Sequence, residues 1–198
     1  MLVLVRHGRT AANAQGRLLG RLDVGLDAEG ARQAAALREA VGPVDRVIAS
    51  PLLRTRQTAA HLEVGAGPAG TRPVQLDDRW IELDYGAWDG RPLADVPLDA
   101  WAQWRQDADF APEGGESLAE VGARVRRACE ELAAEAAEHD VVVVTHVSPL
   151  KAAVAWALGL PDLGAWRLFV APASITRIRT TGPTPTLVSF NETRHLAR

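Results

Sequence analysis

Three short apolar runs punctuate the chain, and each ends in polar residues able to do chemistry. Leu2 to Val5 leads into Arg6-His7-Gly8, Val44 to Ala49 into Ser50-Pro51, and Val141 to Val144 into Thr145-His146. Unbroken aliphatic runs of this length predict strands covered on both faces, as in a parallel sheet with helices on either side. Between them the spacing is helical, over Ala28 to Ala40, which Gly42-Pro43 follows, over Leu52 to Leu62 and over Ser117 to Glu138. Ser117 with Glu120 three residues on has the spacing of a capping box. Pro149 suits the first turn of a further helix reaching Leu158, with Gly159 just past its end. Gly65 to Pro73 is rich in glycine and proline and reads as a connection. The alternation predicts one layered α/β domain over residues 1–198.

Composition narrows the function classes. With 198 residues, 47% of them hydrophobic, a charge of -3 and a mean hydropathy of -0.07, the chain can bury a core without disulfides or a metal. Twenty-five acidic against 22 basic residues leave no electrostatic footprint for nucleic acid. The one cysteine, Cys129, falls among Val125, Ala128 and Leu132 and reads as core packing. The N-terminus runs apolar and then cationic, the reverse of a signal peptide and too short to span a membrane, so a cytoplasmic location is expected. Lys151 is the sole lysine; every other basic residue is arginine.

The strand ends carry the functional signal. Ligands of open α/β sheets sit beyond the carboxyl ends of the strands, and here those ends deliver Arg6-His7, Ser50 with Arg54 close behind, and His146. A phosphate monoester suits such a cluster. It carries close to two negative charges near neutral pH, and its loose transition state spreads charge over three equatorial oxygens. Arginine forks match those oxygens in pairs and stay ionised, so no metal or other cofactor is expected. The five histidines are not spaced as metal-ligand pairs. Positive neighbours disfavour protonation of His7, and a neutral imidazole is what attacks.

Arg6-His7-Gly8-Arg9-Thr10 with Asn13 resembles the R-H-G-x-[ST] signature of the histidine phosphatase, or phosphoglycerate mutase-like, superfamily. The resemblance extends through Gly20, Asp23, Leu26, Gly30 and Gln33-Ala34, and through Ser50-Pro51-Leu52-Leu53-Arg54-Thr55-Arg56-Gln57-Thr58-Ala59. It continues in Glu82, Tyr85-Gly86, Trp88 and Gly90, in Pro112 with Gly114-Gly115-Glu116-Ser117, and in Val141 to His146. These blocks, in order over residues 3 to 150, make the signal specific. The His146-Val147-Ser148-Pro149-Leu150-Lys151 stretch and the short length are similar to phosphatases of the α-ribazole and broad-specificity acid kind.

The resemblance implies a three-layer α/β sandwich with a mostly parallel central sheet flanked by helices, the phosphoglycerate mutase-like fold. It implies His7 as the nucleophile, Arg6, Arg54 and His146 around the phosphate oxygens, Asn13 as a further hydrogen-bond donor and Glu82 as the proton donor to the leaving oxygen. Two positions depart from the family pattern. Arg9 stands where an acidic or amide residue is frequent and would add charge at the mouth; Val147 stands where glycine is frequent, beside the bound substrate, and would narrow the pocket or alter a backbone donor. The implied activity is hydrolysis of a small phosphate ester through a phosphohistidine, by a protein that binds neither nucleic acid nor membrane and is compatible with a homodimer. The alternatives are a bisphosphoglycerate-dependent mutase and a non-catalytic phosphoprotein-binding module. A mutase must hold a second anionic group, yet Pro92 to Glu113 offers only Arg105 among Asp95, Asp99, Asp107 and Asp109. A binding module needs neither His7 nor Glu82. Trp101 and Trp104, one helical turn apart, read first as core and second as lining of the substrate.

Overall fold

The computed structural model describes residues 1–67, 70, 71 and 73–197. Its strands are β1 (Leu2–Arg6), β2 (Arg46–Ala49), β3 (Ala66–Gly67), β4 (Gly70–Thr71), β5 (Gln75–Leu76), β6 (Val141–Thr145), β7 (Ile175–Arg179) and β8 (Thr186–Glu192). Its α-helices are α1 (Ala11–Ala14), α2 (Ala28–Val41), α3 (Leu53–Ala59), α4 (Leu98–Gln106), α5 (Leu118–Glu138) and α6 (Val147–Leu158). Six strands form one sheet in the order β5-β2-β6-β1-β7-β8. β5, β2, β6 and β1 run parallel, β7 is antiparallel to β1, and β8 is antiparallel to β7.

The valine runs do what their unbroken hydrophobicity requires. Val141 to Val144 are all wholly buried, and alternate residues serve opposite faces of the sheet. Leu2, Leu4, Ile48, Val141 and Val143 pack with α5 and α6, whereas Val3, Val5, Val47, Val142 and Val144 pack with Leu37 of α2 and Ala59 of α3. Burying one such side chain stabilises the fold by about 1.5–3 kcal/mol, so both helix layers are tied to the same central strands. The result is the three-layer sandwich expected.

The boundaries move in ways that have local causes. β2 begins at Arg46 because Val44 bridges instead to Val64 and the amides of Asp45 and Arg46 reach the Asp140 carbonyl. α3 ends at Ala59, where His61 and Leu62 switch to i→i−3 hydrogen bonds. Ser117 caps α5 and forms the expected box with Glu120. Residues 66–67 and 70–71 pair as a short hairpin within the Gly65 to Pro73 connection, whose residues 68, 69 and 72 lie outside the described set. β7 and β8 had no sequence signal, because polar residues interrupt both and β8 is only half-buried. Cys129 is buried in the α5 core, and burial pushes its thiol well above the usual range. Among the described residues, no helix is long and apolar enough to cross a membrane.

Register sets the site. Arg6 pairs with Thr145 and Ala49 with Val144, so His7 and His146 leave adjacent strands at one level and Ser50 leaves the third one residue behind them. The His7 amide donates to the Thr145 carbonyl and the Ser50 amide to that of Val144, which carries the ladder to the point of departure. Behind His7, Gly8 and Gly30 touch so closely that a Cβ on Gly8 would stand 2.4 Å from the Gly30 carbonyl oxygen. Only glycine at both positions lets the His7 loop lie on α2.

Candidate active site

His7 is buried, with 2% of its surface exposed, and its Nδ1 lies 2.7 Å from the carbonyl oxygen of Gly8. A carbonyl only accepts, so Nδ1 carries the proton, and the neutral ring presents the lone pair of Nε2. The loop is clamped on every side. Gly8 donates to Thr58 Oγ1, Arg9 to Gln33 Oε1, and Ala173 to the His7 carbonyl. Ala173 adopts φ 53° to do this, a strained choice for a residue with a side chain.

His146 lies edge-on to His7, ring centroids 5.1 Å apart. Arg54 Nε donates to its Nδ1 at 3.2 Å, so the proton of the neutral ring sits on Nε2 and is given to Ser50 Oγ at 2.7 Å. Burial first, and the charges of Arg6 and Arg54 next, hold His7 well below the ordinary histidine range. His146 is held down by burial, then by Arg54, His7 and Arg6. Both rings are therefore neutral, for which desolvation matters more than the neighbouring charge that the sequence suggests.

Arg54 is fully buried and Arg6 is 9% exposed. Arg54 also donates from Nη1 to the Leu22 carbonyl and from Nη2 to that of Gly20, which leaves one N–H on each terminal nitrogen. Arg6 Nη1 donates to the Val170 carbonyl at 2.7 Å, and its buried Nε has no partner. Among the described residues neither guanidinium has a carboxylate oxygen within salt-bridge distance. Burial lowers Arg6 to about 10, partly offset by Glu82, so it stays cationic at neutral pH. Two buried, unneutralised cations beside two neutral imidazoles form a site for an anion.

Glu82 closes the other side and is 3% exposed. Its Oε1 accepts from the amides of Leu83 at 2.8 Å and Ser148 at 3.0 Å, and its Oε2 from that of Val147 at 3.0 Å. The carboxylate therefore caps α6, whose N-cap residue, His146, makes no side-chain capping bond. Three of roughly four acceptor positions are used, and the free one is on Oε2. The Val147 amide is thereby committed to Glu82. Asn13 Oδ1 accepts from Thr10, while its amide nitrogen makes no hydrogen bond among the described residues. Arg9 is ion-paired to Asp27 at 2.9 Å rather than free at the mouth.

Sequence reasoning singled out no role for three residues that hold this arrangement. Ser50 fixes the His146 tautomer. Asp89 accepts from the amides of Gly20, Arg21 and Leu22, the loop whose carbonyls hold Arg54. Arg124 donates to the carbonyls of Arg79 and Glu82 and is paired with Glu116. The signal for Ser50 was its place at a strand end; Asp89 and Arg124 had none. Trp104 is buried in an aromatic cluster, with Trp101 stacked on it at 5.4 Å and Tyr85 and Trp166 edge-on. The tryptophan pair thus belongs first to the core.

Fold and site together define an α/β protein with two histidines and two buried arginines suited to an anion at the carboxyl edge of a parallel sheet. The model of the histidine phosphatase superfamily (branch 1) matches residues 2–193, and the chain belongs to that family. It is 34% identical over 203 residues to phosphoserine phosphatase 1 of Hydrogenobacter thermophilus, covering 98% of this chain and 93% of that one. The solved structure of a mycobacterial glucosyl-3-phosphoglycerate phosphatase superposes with a TM-score of 0.81 at 33% identity, covering 97% and 98% of the two chains. The sandwich is thus the phosphoglycerate mutase-like fold. The chain spans about half the length of the first curated relatives it matches, among them a bifunctional protein of Mycobacterium tuberculosis, 35% identical over 181 residues and covered to 49%.

The two lowered histidines give stability a defined pH dependence. Below about pH 6.5 the unfolded chain takes up protons that the native state refuses, so stability present above that pH is lost as pH falls. The slope approaches about 1.4 kcal/mol per pH unit for each histidine, with a smaller share from His195, also held low by burial. Urea unfolding between pH 7.5 and 5.5 should show this fall, and His7→Gln should make it shallower. An unchanged slope in His7→Gln would place His7 outside this account.

Proposed function

We propose that the protein is a phosphomonoester hydrolase that works through a phosphohistidine on His7. The observation that carries the reading is the Nδ1–H bond from His7 to Gly8, which presents a neutral Nε2 beside two buried arginines that lack carboxylate partners. Arg6, Arg54 and His146, with the Asn13 amide, receive the phosphate oxygens. For His146 to bond one directly, Ser50 or Arg54 must yield its place on the ring. Nε2 of His7 attacks phosphorus, the ester oxygen leaves in line, and Glu82 supplies its proton. Glu82 then takes a proton from water as it attacks the phosphohistidine, which frees His7 and inorganic phosphate.

The arginines supply the charge stabilisation that a divalent ion supplies elsewhere, so the reaction is read as metal-independent. The two relatives described above are named phosphatases, which supports hydrolysis over mutation. So does Arg105, whose guanidinium lies over the Trp101 ring at 5.8 Å. We read the chain as one domain, in a cytoplasmic enzyme of small phosphate esters that binds neither nucleic acid nor membrane.

Rapid quenching with ³²P-labelled substrate in the presence of a chelator should trap acid-labile, base-stable label, and His7→Ala should trap none. Label on serine, or label lost on chelation and restored by a divalent ion, would overturn the assignment.

Glu82→Gln separates proton donor from mere wall. Phosphorylation by an alkyl ester, whose alkoxide leaves badly, should slow roughly 10²- to 10⁴-fold. An aryl ester needs little such help and should give a burst of nitrophenol equal to the enzyme, followed by slow steady turnover. Equal losses on both esters with no burst would make Glu82 structural only.

A further inference from the structure

The two buried arginines of the site are held unequally. Arg54 donates to the carbonyls of Gly20 and Leu22 and to the His146 ring. The Arg6 guanidinium has one acceptor among the described residues, the Val170 carbonyl, 2.7 Å from Nη1, and its Nε has none. The direction in which Arg6 presents its remaining donors therefore depends on how the peptide between Val170 and Ala171 is turned.

That peptide is fixed from its other side. A trans amide is planar and points its C=O and N–H in opposite directions, so a partner on the N–H sets the carbonyl as well. Here the Ala171 amide donates to Oδ1 of Asn191 at 2.7 Å. Asn191 gets there through an irregularity in β8. Between the pairs Ile175 with Glu192 and Arg177 with Ser189, β8 carries one residue more than β7, and Asn191, within that stretch, adopts φ 56°. Asparagine enters the left-handed region more readily than most residues, and a bulge redirects a side chain away from the regular alternation of its strand. The Asn191 amide donates in turn to Thr176 Oγ1 at 3.2 Å. The turn that follows Ala171 is secured independently: the Ser174 amide closes it on the Ala171 carbonyl, and His195 donates from Nε2 to the Ala173 carbonyl.

Resting on the phosphatase reading, we propose that Asn191 is a positioning residue for the reaction, which acts through the peptide between Val170 and Ala171 to aim the Arg6 guanidinium at the phosphoryl oxygens. Through this chain of contacts the edge strand β8, separated from β1 by β7, takes part in the phosphate cage. Because Ser174 and His195 keep their own holds on the turn, losing the Asn191 oxygen frees the Val170 carbonyl and little else.

Asn191→Gly keeps the left-handed backbone and removes the acceptor, whereas Asn191→Asp keeps an acceptor oxygen in the same place. The readouts are kcat and KM for nitrophenyl phosphate, the inhibition constant of inorganic phosphate, and Tm. A loss of folded protein lowers apparent kcat and leaves KM and the inhibition constant unmoved; a misaimed Arg6 raises both constants. Asn191→Gly should raise both and lower kcat/KM roughly tenfold to a hundredfold, and Asn191→Asp should recover most of the loss. Phe190→Ala, which loosens the same strand from the core without touching the turn, should lower Tm and leave the inhibition constant at the wild-type value. If Asn191→Gly does not fold, Asn191→Ser, whose hydroxyl stops one bond short of Oδ1, takes its place with the same expectation. Wild-type KM and inhibition constant in the variant that lacks the acceptor would overturn the assignment and leave the phosphatase reading intact, as would an equal rise in Asn191→Asp or in Phe190→Ala. A wild-type protein that does not turn over nitrophenyl phosphate would remove the phosphatase reading, and the Asn191 assignment would fall with it.

Discussion

Two guanidinium groups buried without carboxylates are the constraint around which the molecule is arranged. Taking an ion out of water costs several kcal/mol even after relaxation, and Arg6 and Arg54 are repaid by carbonyl oxygens and, for Arg54, by the His146 ring nitrogen. Carbonyls of Gly20, Leu22 and Val170, with the His146 ring, fix the guanidinium planes and leave one N–H free on each terminal nitrogen of Arg54. Burial first, and this uncompensated charge second, keep His7 and His146 neutral, so the site favours a divalent anion. Held in this way, the two guanidinium planes are preorganised for the anion, and the adjustment on its arrival is confined to the His146 ring and its partners.

The scaffold's part is to keep flexible connections rigid. Each loop that bears a functional group is gripped by residues from another element: the His7 loop by Thr58, Gln33 and the contact with Gly30, the Arg54 anchor loop by Asp89, and the Glu82 loop by Thr145, through the Trp80 carbonyl, and by Arg124. Glu82 joins two functions in one side chain, since the amides that orient it are the first ones of the helix following His146. The position of the carboxylate and the start of α6 are therefore set together.

This division explains what could be read from the chain. The parallel core was legible because Val141 to Val144 and Leu2 to Val5 must be covered on both sides, and the site because strands of matched register end in His7, Ser50 and His146. The motif residues Thr58, Gln33, Asp23 and Gly30 were visible as letters, but their work as backbone clamps was not. Asp23, for one, accepts from the Leu53 amide at the start of α3. Asp89 and Arg124 were hidden because each acts through backbone groups of loops distant in sequence. β8 was hidden because edge position and partial exposure allow polar residues such as Ser189 within a strand, and β7 because Thr176 and Arg177 interrupt its apolar residues.

The most direct measurement of the central claim is a crystal structure with vanadate, which takes on the trigonal-bipyramidal shape of a phosphoryl group in transfer. Vanadium should bond to Nε2 of His7, with equatorial oxygens on Arg6 and Arg54 and the apical oxygen toward Oε2 of Glu82. Vanadate bound elsewhere, or held in the cage with His7 Nε2 turned away, would contradict the account.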